Sequence, residues 1–470
     1  MTQREALLLV GAFTLIAAPR VLLAVFYPWF EGDGRVYARI ATNILQNGCV
    51  SLSPPALGAC EPHWGGNQLP GYPAVIAGSH VLFGPSGVAP LVVQSFAFAA
   101  AATYLIHALR VAGTPLAVGA IVALVLAVSP SLIGWSRMLL TEAMSSAAVL
   151  WIVAALTLSI GQRRLRVVEV GVAIAAGVLM RYSVALSLAA VIVVAWRLYP
   201  PAGALRRVVV IALIALTPFA GWTLRNVAQG LSPLPPAAMT RNGTPAPAGM
   251  LAWLATWVTN QYELPTSLWP VLTEDYRSLR PPASADPRAL ELVAALPPAG
   301  AVPAALDAAF ADLAAAEKLE HRFEQSVVLP LRRIGNLWGS PFPSMGLPLE
   351  LPAGTRVVFE SAWRAGDLPE WMRIVIANAP QAAMKAAVSL WRYATLAMLG
   401  IVAWAILRRR LQNGVLATLT GASIGVALAF TAAFAFTPFI ETRYLVPVLV
   451  WLDVITALAF GTWLMRARVR

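Results

Sequence analysis

The chain has 470 residues, 59% of them hydrophobic and only 12% charged, against about 25% charge in an average soluble domain. Its formal net charge is +12, yet the arginines fall in short clusters between apolar runs, at Arg163, Arg164 and Arg166, at Arg206 and Arg207, at Arg408 to Arg410, and at Arg466, Arg468 and Arg470. Clusters of that kind mark cytoplasmic loops of a membrane protein; they exclude an ordinary soluble globule and argue against a nucleic-acid partner.

The first apolar run, 6–30, is too long for the core of a cleavable signal peptide and reads as a retained first crossing. It delivers Glu31 and Asp33 to the outer side. Residues 31–71 then form an outer loop rich in Gly and Pro, which holds the chain's two cysteines, Cys49 and Cys60. In an oxidising compartment they form a disulfide; two separate thiols are the other reading. The apolar stretch 72–83 is only about 18 Å long as a helix, too short to cross, and is expected to lie at the interface.

Crossings follow at 88–109, 116–132 and 138–160, with Arg137 and Glu142 in the outer turn between the last two. Two abbreviated helices, 167–180 and 184–196, meet at Arg181; each is about 20 Å long, which places that arginine below the outer surface. The run 208–224 leads out to Arg225. That makes seven crossings before a polar insert, and three follow at 386–407, 415–436 and 444–464. Ten crossings put both termini in the cytoplasm.

The chain is thus expected to be an all-α polytopic membrane protein in three parts: a seven-span module at 1–225 with a working outer loop at 30–72, an extracytoplasmic insert at 226–384, and three C-terminal helices at 385–470. Within the insert, 304–329 reads as a helix that stops at Pro330, and 280–303 as a loop or linker. Trp253, Trp257, Trp269, Trp338, Trp363 and Trp371 suit a layer against the lipid headgroups. Arg20 and Asp453, inside the first and last spans, are read as interhelical contacts.

The outer loop reads Glu31-Gly-Asp33-Gly-Arg35-Val-Tyr37-Ala38, and later Gln68-Leu-Pro70-Gly71-Tyr72-Pro73. Thr141-Glu142 follows in the second outer turn, Gly177-Val-Leu-Met-Arg181 at a helix end, Trp222-Thr-Leu-Arg225-Asn226 at the seventh span, and Arg443-Tyr444 before the last. In this order the motifs resemble the GT-C class of membrane glycosyltransferases, such as protein O-mannosyltransferases and bacterial aminoarabinose transferases. The resemblance covers most of 1–226 and returns at 441–447. It departs at Tyr182, where the family often has Pro, and it does not reach the insert.

The resemblance implies a GT-C fold in a bacterial plasma (inner) membrane, with the site facing the periplasm or exterior. It implies inverting transfer from a polyprenyl-phosphate-sugar donor to a glycan, lipid or protein acceptor, with Asp33 as base. Physically, a positioned carboxylate takes the proton an acceptor loses as it attacks the anomeric carbon. Arginine's planar fork suits a lipid phosphate as leaving group; Arg181, Arg225 and Arg443, with Tyr444 beside the last, are the candidates. Glu142 is a second active-site acid, a ligand to a divalent metal, or a carboxylate favoured by a helix N-terminus. Tyr37, His63 and Tyr72 are candidates for lining the substrate loop. No cofactor is certain, and a divalent metal is possible. A transporter or flippase is the alternative, and a ligase using a diphosphate-linked donor the third reading. The few ionisable groups at mid-membrane depth favour the enzyme.

Overall fold

The computed structural model describes the chain apart from residues 1, 31, 54–59, 61–68, 232–237, 239, 241–243, 262, 283–284, 341–354, 356–357, 360–361, 363–365, 409–413, 440 and 468–470. His63, Glu31, Gln68 and Trp363 lie outside the described residues. Within them the regular structure is helical, with two isolated bridge pairs and no strand.

Among the described residues, seven helices are long and apolar enough to cross a membrane. They are α1 (Gln3–Phe26), α4 (Val88–Val111), α6 (Thr141–Gly161), α9 (Pro201–Ala228), α16 (Ala379–Leu407, preceded by the short α15, Leu368–Ala377), α17 (Gly414–Ala435) and α18 (Val446–Ala467). Three shorter apolar helices stand among them: α5 (Leu116–Val128), α7 (Val167–Met180) and α8 (Leu188–Leu198), the last entered through a 3₁₀ turn from Tyr182. The protein is a multi-pass, all-α membrane protein. α6 and α18 form the centre of the bundle, each buried over most of its length, whereas α9 and α16 turn apolar side chains outward, as lipid-facing helices do.

The apolar run expected to cross at 116–132 ends early, at Val128. Pro130 disfavours helical backbone at Ser129, whose ψ of 114° is extended. The chain then makes a 3₁₀ turn, Ile133–Arg137, before α6. Ser129 and the two buried charges lock this region. Arg20 donates to the carbonyls of Leu126 (2.7 Å) and Ala127 (3.3 Å) at the end of α5. Asp453 accepts from the Ser129 hydroxyl (2.6 Å) and the Trp391 indole (2.8 Å). Both side chains are therefore satisfied by neighbouring helices, as buried polar groups in a membrane must be.

Two small helices flank the first loop: α2 (Asp33–Asn47) and α3 (Gly71–Phe83). The structure joins Cys49 to Cys60, with Cα atoms 6.1 Å apart across 11 positions. Closing a loop of that size stabilises by about 3 kcal/mol. The Cys49→Ser/Cys60→Ser protein is expected to unfold at lower temperature than wild type under oxidising conditions, and at the same temperature under reducing ones.

The insert builds a core of its own from α10 (Ala248–Leu254), α11 (Leu268–Thr273), α12 (Pro287–Ala294) and α13 (Ala304–Glu320), centred on Met250, Leu254, Val271 and Phe310. The insert departs from the expected elements in three places. Residues 280–303 are not simply a linker: Asp286 caps α12 by accepting from the Arg288 amide (2.8 Å), with Pro287 in the first turn. The helix from Ala304 breaks at His321. Helical backbone resumes at 322 and runs through a π-helical stretch, Glu324–Val328, into α14 (Leu329–Gly339), so Pro330 does not end a helix. Trp253 is not at a headgroup layer; it is 3% exposed, packed on Phe310 with ring centres 5.0 Å apart.

Gly249 is where α10 meets α13. A Cβ there would overlap the Asp307 carbonyl, whose own side chain accepts from the Met250 amide. Gly249→Ala is expected to destabilise the insert by about 2–3 kcal/mol, read as an earlier unfolding transition with the transmembrane helical signal retained.

Candidate active site

The polar cluster forms where the starts of α2, α6 and α18 and the end of α7 converge. A short bridge sets the first two together: the Trp29 amide donates to the Arg137 carbonyl (2.9 Å) and the Leu139 amide to the Trp29 carbonyl (3.1 Å). Asp33 and Glu142 thus stand in the first turns of α2 and α6, where helix dipoles favour carboxylates. The end of α7 is fixed by α3. Gly71 lies so close to the Leu179 carbonyl that an added Cβ would sit 2.5 Å from it, so only glycine fits. Two residues on from Leu179 is Arg181, which leaves the helix in extended backbone.

These elements bring four of the sequence candidates into one ion network. Arg181 Nη1 meets Glu142 Oε1 at 2.9 Å, and Arg443 Nε approaches the same oxygen at 3.9 Å. Arg443 Nη2 donates to Asp33 Oδ2 at 3.1 Å. Tyr444 sits beneath both guanidiniums, 5.0 Å from Arg181 and 6.0 Å from Arg443. The exposures separate the roles. The Glu142 side chain is 2% exposed and faces two arginines, while that of Asp33 is 41% exposed.

Glu441 was not picked out by sequence reasoning. Its carboxylate accepts from Arg443 Nη2 at Oε1 (3.1 Å), and its Oε2 lies 2.7 Å from Nε as an ion pair. The signal was an acid two residues ahead of the arginine, legible only once Arg443 is known to turn back on its own loop. Counting Asp33, Glu142 and Glu441 against Arg181 and Arg443, the cluster carries a formal charge of −1.

Tyr37, one turn after Asp33, and Tyr72 lie behind the cluster, edge to face at 5.3 Å. Tyr72 donates to Gln94 (2.8 Å), whose amide in turn donates to the carbonyls of Ser136 and Met138, both at 2.9 Å. Burial, reinforced by Asp33 and Glu142, pushes the Tyr37 phenol well above its ordinary pKa, so it stays neutral and packs as a wall. Arg225 stands at the end of α9. It stacks over Trp222 at 4.6 Å, donates to Asn226 (2.8 Å) and reaches the Val50 carbonyl (3.4 Å) beside the disulfide. Among the described residues no three His, Cys, Asp or Glu side chains are grouped to hold a metal ion.

An apolar groove of about 360 Å³ lies between α4, α6 and α7. Ala97, Ala100, Ala101 and Tyr104 on α4 repeat in spacing as Met144, Ala147, Ala148 and Trp151 on α6, and Met180, next to Arg181 in sequence, lines one end. At the far end Tyr104 and Trp151 both donate to Glu169 Oε1, at 2.5 and 3.3 Å.

No protein-family model matches the chain, and no curated protein matches it in sequence. Among solved structures it is similar to the archaeal oligosaccharyltransferase AglB from Archaeoglobus fulgidus, solved with an inhibitory peptide and a dolichol-phosphate. The match has 14% identity and a TM-score of 0.45, and covers 99% of this chain and 51% of that one. The chain therefore spans about half the length of the protein it matches.

Proposed function

We propose that the chain is an inverting glycosyltransferase of GT-C type. It moves a sugar from a polyprenyl-phosphate-linked donor to a lipid, glycan or protein acceptor on the extracytoplasmic face of a bacterial plasma membrane. The observation that supports this reading is a half-exposed carboxylate, Asp33, paired with Arg443, which shares the buried Glu142 with Arg181 at the ends of apolar helices.

The acceptor hydroxyl or amine attacks the anomeric carbon, the carbon–oxygen bond to the phosphate breaks, and Asp33 takes the acceptor's proton. The departing lipid phosphate leaves as an anion beside Arg181 and Arg443. Glu142, buried and already engaged, holds the two arginines rather than moving a proton. Arg225 serves the outer loop, and the insert faces the acceptor. The midplane pair offers little to a transporter reading, because Asp453 is closed in by Ser129 and Trp391.

The deciding experiment offers purified protein radiolabelled sugars on synthetic polyprenyl monophosphates. Labelled product with stoichiometric release of polyprenyl phosphate supports the proposal. No turnover of any donor, with substrate flux in proteoliposomes, supports a transporter instead.

In this reading the donor's chain lies along the Ala-lined groove. Lipid tails are as apolar as the groove, so its selectivity rests on fit rather than on escape from water. Ala97→Leu with Ala101→Leu is expected to raise KM for a long-chain donor about fivefold through lost packing, with kcat and KM for a short-chain analogue unchanged.

A further inference from the structure

We propose that Gln261, contributed by the insert, is a positioning residue for Arg443, which makes the 255–261 loop a structural part of the active site. The inference rests on the functional reading above. Arg443 lies in the 3₁₀ turn Thr442–Leu445 that heads α18, and Glu441, at the capping position, makes no side-chain cap to it. The first amides of a helical turn need an outside acceptor. Gln261 Oε1 supplies one, accepting from both the Thr442 amide and the Thr442 hydroxyl at 3.0 Å, across 181 positions of sequence.

The loop that presents Gln261 is itself braced. Arg333, 4% exposed, donates to the carbonyls of Ala255 (2.6 Å) and Val258 (3.0 and 3.1 Å). Asn336 donates to the Thr259 carbonyl (3.3 Å), and Glu263 accepts from the Thr259 amide (2.7 Å) and the Asn260 side chain (2.8 Å). Phe439, on the other side of Glu441, packs against the insert's core. The segment carrying Arg443 is thus held to the insert at two points, while Arg443 itself reaches Asp33 and Glu441. An acceptor seated on the insert would act on Arg443 through this link.

The test compares full-length Gln261→Leu, which removes the acceptor atom, with Gln261→Glu, which keeps it. Amide hydrogen exchange over 441–445 is expected to speed up in Gln261→Leu and to stay near wild type in Gln261→Glu. Transfer kcat is expected to fall about tenfold in Gln261→Leu for the loss of two neutral hydrogen bonds, with most of it kept in Gln261→Glu. In an Arg443→Lys background the leucine substitution is expected to add little, since both act through one group. Equal cost in both backgrounds, or unchanged exchange at 441–445, overturns the proposal, as does equal loss of folding in both variants. Wild-type protein that transfers from no polyprenyl-phosphate donor overturns the functional reading instead, while the exchange comparison still decides whether Gln261 holds the turn.

Discussion

Asp33→Asn is expected to lower transfer turnover by about 10²–10⁴-fold, the range for losing a positioned general base, in a protein that remains folded. Asparagine keeps the shape and can still accept from Arg443, but it binds no proton at working pH. Little stability rides on the charge. The Asp33 side chain is 41% exposed, and a pair so open to solvent contributes at most about 1 kcal/mol. Arg443 also keeps Glu441 at 2.7 Å. Donor affinity is expected to hold or improve, because the substitution takes the cluster from a formal −1 to neutral and so opposes a phosphate less. Turnover and donor binding measured on the same preparation separate the two effects. Unchanged turnover would move the base to Glu441, which is 24% exposed, ahead of the more deeply buried Glu142.

Much of the bundle was legible because crossing a bilayer imposes a composition that sequence displays directly. The ten apolar segments all appear as helices, and the short pair meets at Arg181. The misses share a cause. Pro130 and Pro330 have opposite effects, the first preceded by a residue it forces out of helix, the second carried within a helical run just behind a π-helical stretch. Proline alone does not say which. Trp253 was assigned to a headgroup layer because indole favours both interfaces and cores, and only the packing on Phe310 decides. At the site, Asp33, Glu142, Arg181 and Arg443 were legible as charges beside spans, but their pairing was not. Gln261 had no signal, since an uncharged side chain acting across 181 positions leaves no local pattern.

Arg181→Gln is expected to destabilise the protein by about 3–5 kcal/mol, the cost of leaving a buried charge without its partner. The orphan is Glu142, 2% exposed, whose nearest remaining cation is Arg443 at 3.9 Å. Arg443 cannot simply move in, because Asp33 and Glu441 hold its other side. Adding Glu142→Gln removes the orphaned charge, so the double variant is expected to regain most of the lost stability in thermal unfolding. A double variant as unstable as the two single losses summed would show that the groups do not couple. Activity is expected to part from stability at this point. The rescued double variant still lacks the fork of donors beside Arg443. Turnover should stay down by about 10²–10³-fold, as when one preorganised donor to a developing anion is removed. Arg181→Lys should recover charge but only part of the rate, since an ammonium cannot present two parallel donors to Glu142 and a phosphate together. If the double variant regains both stability and turnover, Arg181 is holding Glu142 in place and nothing more, and the phosphate would have to be met by Arg443 alone.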